Sequence, residues 1–181
     1  FIICGSLVSL MKDEVLAETA PLHGRSDREL KLRPFNYIET AEFLDGYTNE
    51  EKAICYGLTN GVAKYIEQFD VSESLEENII DQFYSVGGYF SEEQIKTVVS
   101  NDKKNPALYN SIISAVATGH TKNSEIASYV GVDEVTYPLK VLVKAELLER
   151  RVTKKPYYIL NDSMLEFWFK YVNRATSLIN A

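Results

Sequence analysis

The sequence is short of the residue types that metal and disulfide chemistry need: its 181 residues hold two cysteines, two histidines and one tryptophan. Cys4 and Cys55 lie far apart, which excludes a disulfide framework and the paired spacing of a zinc site and leads to an expectation of a reducing cytoplasm. His23 and His120 are as distant from each other, so no metal site is expected. No continuous apolar stretch is longer than Phe1–Met11, FIICGSLVSLM, about half of what a bilayer span requires. It lacks a basic flank and a small-residue cleavage site, so neither membrane insertion nor secretion is expected. What remains is ordinary for a soluble globular chain, with 45% hydrophobic and 25% charged residues.

Basic charge is also scarce, and unevenly so. Residues 36–105 carry fourteen acidic and five basic side chains, whereas residues 106–161 carry seven basic and five acidic, so a net −9 precedes a net +2 within a total of −7. Such asymmetry argues for two units with different partners. Ahead of both, Phe1-Ile2-Ile3-Cys4 runs into Gly5-Ser6 as a buried parallel strand does when its end faces a ligand crevice. One such strand needs partners, which leads to the expectation that these residues are part of a longer protein. Residues 29–34 alternate like a second strand stopped by Pro34. Exposed edges on these first 35 residues would invite pairing with another copy.

From Asn36 the period becomes helical. Asn36 with Glu39, Thr48 with Glu51, Ser74 with Glu77 and Ser91 with Gln94 have capping-box spacing, and apolar residues follow at intervals of three and four. About four short helices are expected there. Asn105-Pro106 restarts the pattern, with helices predicted over 107–118, over 124–130 capped by Asn123, and over 139–146 after Thr136-Tyr137-Pro138. Two strands, 147–153 and 157–160, are joined by Lys154-Lys155-Pro156. Three helices followed by a hairpin make a winged helix-turn-helix. Asp162 then caps a last helix containing Phe167-Trp168-Phe169 and Tyr171. That run is apolar on more than one face, as core segments are; its cover is expected either within this chain or from a further domain.

These motifs, in this order, resemble the C-terminal half of archaeal-type ATPases, the STAND-class relatives of AAA+ proteins. FIICGSLVSLM resembles the family's sensor strand, APLHGRSDRELKLRPF its Gly-Arg loop and last core strand, NYIETAEFL its first lid helix, and NGVAKYIEQF its lid motif. NPALYNSIISAVATGHTKNSEIASYVG resembles its winged helix, and YYILNDSMLEFWFKYV the start of its C-terminal domain. Ala63 replaces the family's lid proline, and His23 its loop aromatic. The fold class so implied is mainly α with short strands: an α/β P-loop ATPase core remnant (1–35), a helical lid (36–105), a winged helix-turn-helix (106–161) and a helix beginning a truncated C-terminal domain (162–181). ATP and Mg are implied for the parent protein. No G-x-x-x-x-G-K-[ST] and no apolar strand ending in an acidic pair occur in these residues, so hydrolysis by them alone, or a cofactor held by them alone, is not expected.

The resemblance assigns Ser6 as a γ-phosphate sensor, with a strand-end residue bonding its own turn as the alternative. It assigns Arg25 to phosphate sensing, where a guanidinium neutralises charge on the transferred phosphoryl; the alternative is a surface arginine paired with Asp27. Gly61 and Ala63 open the lid segment over the nucleotide, or form a plain cap between helices. In the second unit Tyr137, Lys140 and Lys144 share a helix face, and Arg150, Arg151, Lys154 and Lys155 lie on or near the wing. A helix face with a basic wing suits double-stranded DNA. Asp133 and Glu134 beside the helix start, and the small net charge, leave open a solvated face or a protein-docking surface.

Overall fold

Asn36, Thr48 and Ser74 each accept a hydrogen bond from the backbone N–H three residues on, and Glu39, Glu51 and Glu77 reach back to the N–H of the cap. Each reciprocal pair occupies donors that a helix start otherwise leaves open. The computed structural model describes residues 18, 28, 30–90, 105–152, 154–173 and 175. Within it these boxes begin Tyr37–Phe43 (α1), Asn49–Thr59 (α2) and Leu75–Ile79 (α4), with the single turn Ala63–Ile66 (α3) between the last two. The fourth spacing, Ser91 with Gln94, falls outside the described residues.

The boxes make the first helical group acid-sensitive. The backbone N–H and then the hydroxyl of Thr48 hold Glu51 below the usual carboxylate range, and the hydroxyl and then the backbone N–H of Ser74 do the same for Glu77. A carboxyl whose folded pKa is depressed contributes stability above its unfolded pKa and loses it as pH falls through the folded value. Helicity followed by circular dichroism should therefore drop as pH falls below the ordinary carboxylate range. A Thr48→Ala, Ser74→Ala variant should be less stable at neutral pH and show a shallower acid limb; an unchanged limb would refute the assignment.

A buried amide organises the centre of this group. Asn78 is 2% exposed. Its Oδ1 accepts the Asp70 N–H at 2.7 Å, and its Nδ2 donates to the Tyr47 hydroxyl at 2.9 Å and to the carbonyls of Asp70 and Ser74. Full pairing of this kind is what makes a buried amide tolerable. Burial, with minor repulsion from nearby acidic groups, pushes the Tyr47 phenol up to about 12. The Cys55 thiol is pushed up to about 12 by burial, so it is an inert core residue.

Residues 30–36 depart from expectation. They form no ladder among the described residues, and Leu30 and Leu32 are 83% and 81% exposed. Alternation makes a strand only where a partner supplies hydrogen bonds and a face is buried. This stretch is held instead by Lys31 Nζ on the Glu146 carboxylate at 3.0 Å and by the Phe35 N–H on the Gly61 carbonyl at 2.8 Å.

The second group begins with Pro106–Ala117 (α5), where Asn105 Oδ1 accepts the Leu108 N–H and Pro106 takes the first helical position. Six of its residues, among them Ile112, Ile113 and Ala115, are buried. Asn123–Val130 (α6) follows, and here the expected cap is wrong. Glu125 accepts the backbone N–H groups of Thr121 and Lys122 while pairing with the Lys122 ammonium, and Asn123 lies one residue inside. The Asn123 amide donates to Thr136 Oγ1 at 3.2 Å, at the start of Thr136–Lys144 (α7). This helix begins three residues earlier than the proline suggested, because Pro138 fits a first turn that needs no N–H there. It stops before Glu146, whose φ of 59° is left-handed.

Leu148–Val152 (β1) and Pro156–Leu160 (β2) pair antiparallel with Leu148 opposite Leu160 and Val152 opposite Pro156. The Tyr158 N–H donates to the Thr121 carbonyl at 2.8 Å, tying the hairpin to the α5–α6 turn. Asp162 then caps Ser163–Phe167 (α8) through the N–H groups of Met164 and Leu165, as expected. Both α4 and α8 continue as π-helical stretches, Ile80–Tyr84 and Trp168–Val172, which touch each other.

The aromatic run of the last helix needs no further domain as cover. Trp168, Phe169 and Val172 are each 3% exposed, packed where α8 and its π-helical stretch meet α2 and α5. The Phe83 ring sits 5.0 Å from that of Phe167 and 4.6 Å from that of Phe90. Tyr171 alone of that run stays half exposed. The two helical groups thus share one continuous apolar core. Among the described residues no helix is long and apolar enough to cross a membrane.

Candidate functional site

Ser6 and Arg25 lie outside the described residues, as do the N-terminal strand and most of the segment expected to self-associate. Gly61 and Ala63 are described, and they differ. Gly61 is buried with φ +71°, a region in which a side chain is strained. A Cβ there would stand 1.9 Å from the Phe35 carbonyl oxygen and 2.8 Å from its carbon. The close approach of two backbones, sealed by the Phe35 N–H to Gly61 carbonyl bond, accounts for the glycine by packing alone. Ala63 is exposed at the start of α3, where no side chain caps the helix.

In the second group the structure brings some of the basic residues together and separates others. Tyr137, Lys140 and Lys144 are all exposed on α7, opposite the buried Leu139 and Leu142 that dock the helix. Tyr137 is 71% exposed, which is unusual for a tyrosine with no burial to gain. Lys154 and Lys155 are exposed at the hairpin turn. Arg150 and Arg151, however, are neighbours on β1, so the pleat sends them to opposite faces of the hairpin. Arg150 stands opposite Tyr158 and Arg151 opposite Tyr157. Arg151 is also engaged: its Nε is 3.0 Å from Glu149 Oε1, which neutralises part of the hairpin's basic charge.

A second cluster escaped the sequence reading because its members lie far apart in the chain. The Tyr65 hydroxyl donates to Asp162 Oδ2 at 3.0 Å, and Asn60 Nδ2 donates to the Asn161 carbonyl at 3.4 Å. Burial pushes the Asp162 carboxyl up, against the opposing pull of the Leu165 amide, the Tyr65 hydroxyl and the Met164 amide. Burial, then the neighbouring Asp162 charge, pushes the Tyr65 phenol up as well. Asp162 reads from sequence as a cap; nothing local announces a partner 97 residues away. Among the described residues no group of three or more His, Cys, Asp or Glu side chains is placed to hold a metal ion.

No protein-family model matches the chain. An uncharacterized protein of Methanocaldococcus jannaschii is 28% identical over 184 aligned residues, covering 94% of this chain and 40% of that protein. Among solved structures, a Walker-type ATPase of Pyrococcus abyssi matches 92% of this chain and 51% of its own, with a TM-score of 0.58 at 19% identity. The chain therefore shares the fold of part of a Walker-type ATPase. It spans about half or less of the length of these relatives.

Proposed function

We propose that these residues are the regulatory, non-catalytic part of a nucleotide-driven switch, an archaeal-type ATPase of the STAND class. In this reading 36–105 form the lid, 106–161 a winged helix-turn-helix, 1–35 part of the α/β core, and 162–181 the lead into a C-terminal portion. The observation that carries it is the likeness in fold to a Walker-type ATPase over nearly the whole chain. ATP and Mg would be bound mainly by residues beyond this sequence, which has no phosphate loop. Gly61, buried against Phe35, does not fit direct contact with a nucleotide; the exposed Ala63 is the residue of that turn left to face one.

The test uses the full-length protein. It should bind ATP with Mg, and Arg25→Ala should lower hydrolysis by about 10²–10³-fold, the usual cost of losing one group that stabilises transition-state charge. Absence of nucleotide affinity, with Arg25→Ala behaving as wild type, would sink the reading.

The exposed Tyr137, Lys140 and Lys144 face favours a second reading, a module that binds double-stranded DNA or a protein partner independently of nucleotide. Under it, Lys140→Ala with Lys144→Ala should weaken gel shifts of duplexes of any sequence and lower the salt slope by about two, one per phosphate contact. Unchanged shifts would remove the helix from any groove.

A further inference from the structure

We propose that Asn60, Tyr65, Asn161 and Asp162 form a latch that joins the α2–α3 turn and α3 to the β2–α8 junction, so that the two helical groups move as one rigid lever. Its use as a signal path rests on the lid reading above; the rigidity itself does not.

Asn161 is the hub. Its N–H donates to the Leu147 carbonyl at 3.1 Å, its side-chain amide donates to the Glu146 carbonyl at 2.8 Å, and its own carbonyl accepts the Asn60 amide at 3.4 Å. One residue thus ties the α7–β1 turn to the end of β2 and to the first group. Lys31 joins the same place from outside, on the Glu146 carboxylate. Next in sequence, Asp162 collects three donors: the N–H groups of Met164 and Leu165 on Oδ1 and the Tyr65 hydroxyl on Oδ2. A largely buried carboxylate is costly when a donor is withdrawn, so separating Tyr65 from Asp162 is resisted by more than the loss of one neutral contact.

Backbone conformation marks the same spot. Among the described residues, Asn60 (φ 49°) and Glu146 (φ 59°) are the non-glycine residues with positive φ. One sits on each side of the junction. Such conformations persist where the surroundings over-determine them, and here each is pinned by a hydrogen bond to Asn161. Two adjacent polar ties add to the apolar contact between α2 and α8, and together they resist hinging of one group against the other.

Site-resolved hydrogen exchange on the full-length protein tests this without any nucleotide, so its failure is distinct from a failure to bind ATP. In the wild type, the slowest amides of α2 and of α5 should show one common opening. Tyr65→Phe keeps the ring against Phe90, 5.3 Å away, and removes only the hydroxyl. Asn60→Gly keeps the left-handed turn and removes the side chain that carries the amide. In both variants the α2 and α3 amides should exchange faster while α5 keeps its protection, by about tenfold or more in Tyr65→Phe, which loses a bond to a carboxylate, and by about a few-fold in Asn60→Gly, which loses a neutral one. The proposal is overturned if α2 and α5 open separately in the wild type, if both variants leave α2 and α3 unchanged, or if α5 accelerates equally.

Discussion

Gly61→Ala should be the most damaging small substitution in the first helical group, lowering stability by about 2–5 kcal/mol in urea denaturation. Two costs add. A left-handed alanine is about 1–2 kcal/mol worse than the glycine, and a Cβ forced into occupied space costs about 1–3 kcal/mol more. The second cost falls at the high end because the obstacle is backbone: the Phe35 carbonyl oxygen at 1.9 Å is held by the Phe35 N–H to Gly61 carbonyl bond and has nowhere to go. Gly57 provides the control. It lies inside α2, and a Cβ added there would meet nothing within 4 Å, so Gly57→Ala should stabilise by about 0.5–1 kcal/mol through helix propensity. Equal effects at the two glycines would show that the contact with Phe35 is not what Gly61 serves.

Trp168→Ala should cost about 3–5 kcal/mol, the range for emptying a buried aromatic site. The indole is 3% exposed and sits with its centroid 5.0 Å from that of Phe169. Its Nε1–H is buried without a hydrogen-bond partner, however. Trp168→Phe keeps a ring in the site and removes that orphan donor, whose burial carries a penalty of about 1–3 kcal/mol. It should therefore cost clearly less than the alanine. Because Trp168 is the sole tryptophan, wild-type fluorescence reports this core directly, and the variants are followed by circular dichroism. A loss below about 1 kcal/mol for Trp168→Ala would mean that this face is not held by the contacts around the indole.

The elements that were legible in the sequence are those whose cause is local. A capping box spans four residues, so Asn36, Thr48 and Ser74 announced their helices, as Asn105-Pro106 and Asp162 did theirs. Where two local signals competed, the weaker one misled. Asn123 is a good cap by type, but Glu125 satisfied the free N–H groups of Thr121 and Lys122 and left Asn123 to bond Thr136. Residues 29–34 alternate as a strand does, but alternation does not say whether a partner lies alongside; the exposed Leu30 and Leu32 show none among the described residues.

The candidate site divides the same way. Periodicity was enough to put Tyr137, Lys140 and Lys144 on one outward face of α7. Counting basic residues was not enough for the hairpin, since the pleat turns Arg150 and Arg151 apart and Glu149 occupies one of them. The motif order implied an ATPase relationship, and the likeness in fold agrees with it at that coarse level.

Sequence alone, then, settles what depends on neighbours three or four residues apart: helix starts, amphipathic faces, the hairpin, and an acidic unit ahead of a mildly basic one. Folding in three dimensions settles what depends on contacts between distant segments. It buries the Phe167–Val172 run under α2 and α5, presses Phe35 onto Gly61, and brings Tyr65 to Asp162 and Asn60 to Asn161. The reason is physical: a cap or a periodic face is satisfied within one turn of helix, whereas a buried carboxylate or a glycine without room for a Cβ takes its meaning from whatever the rest of the chain places against it.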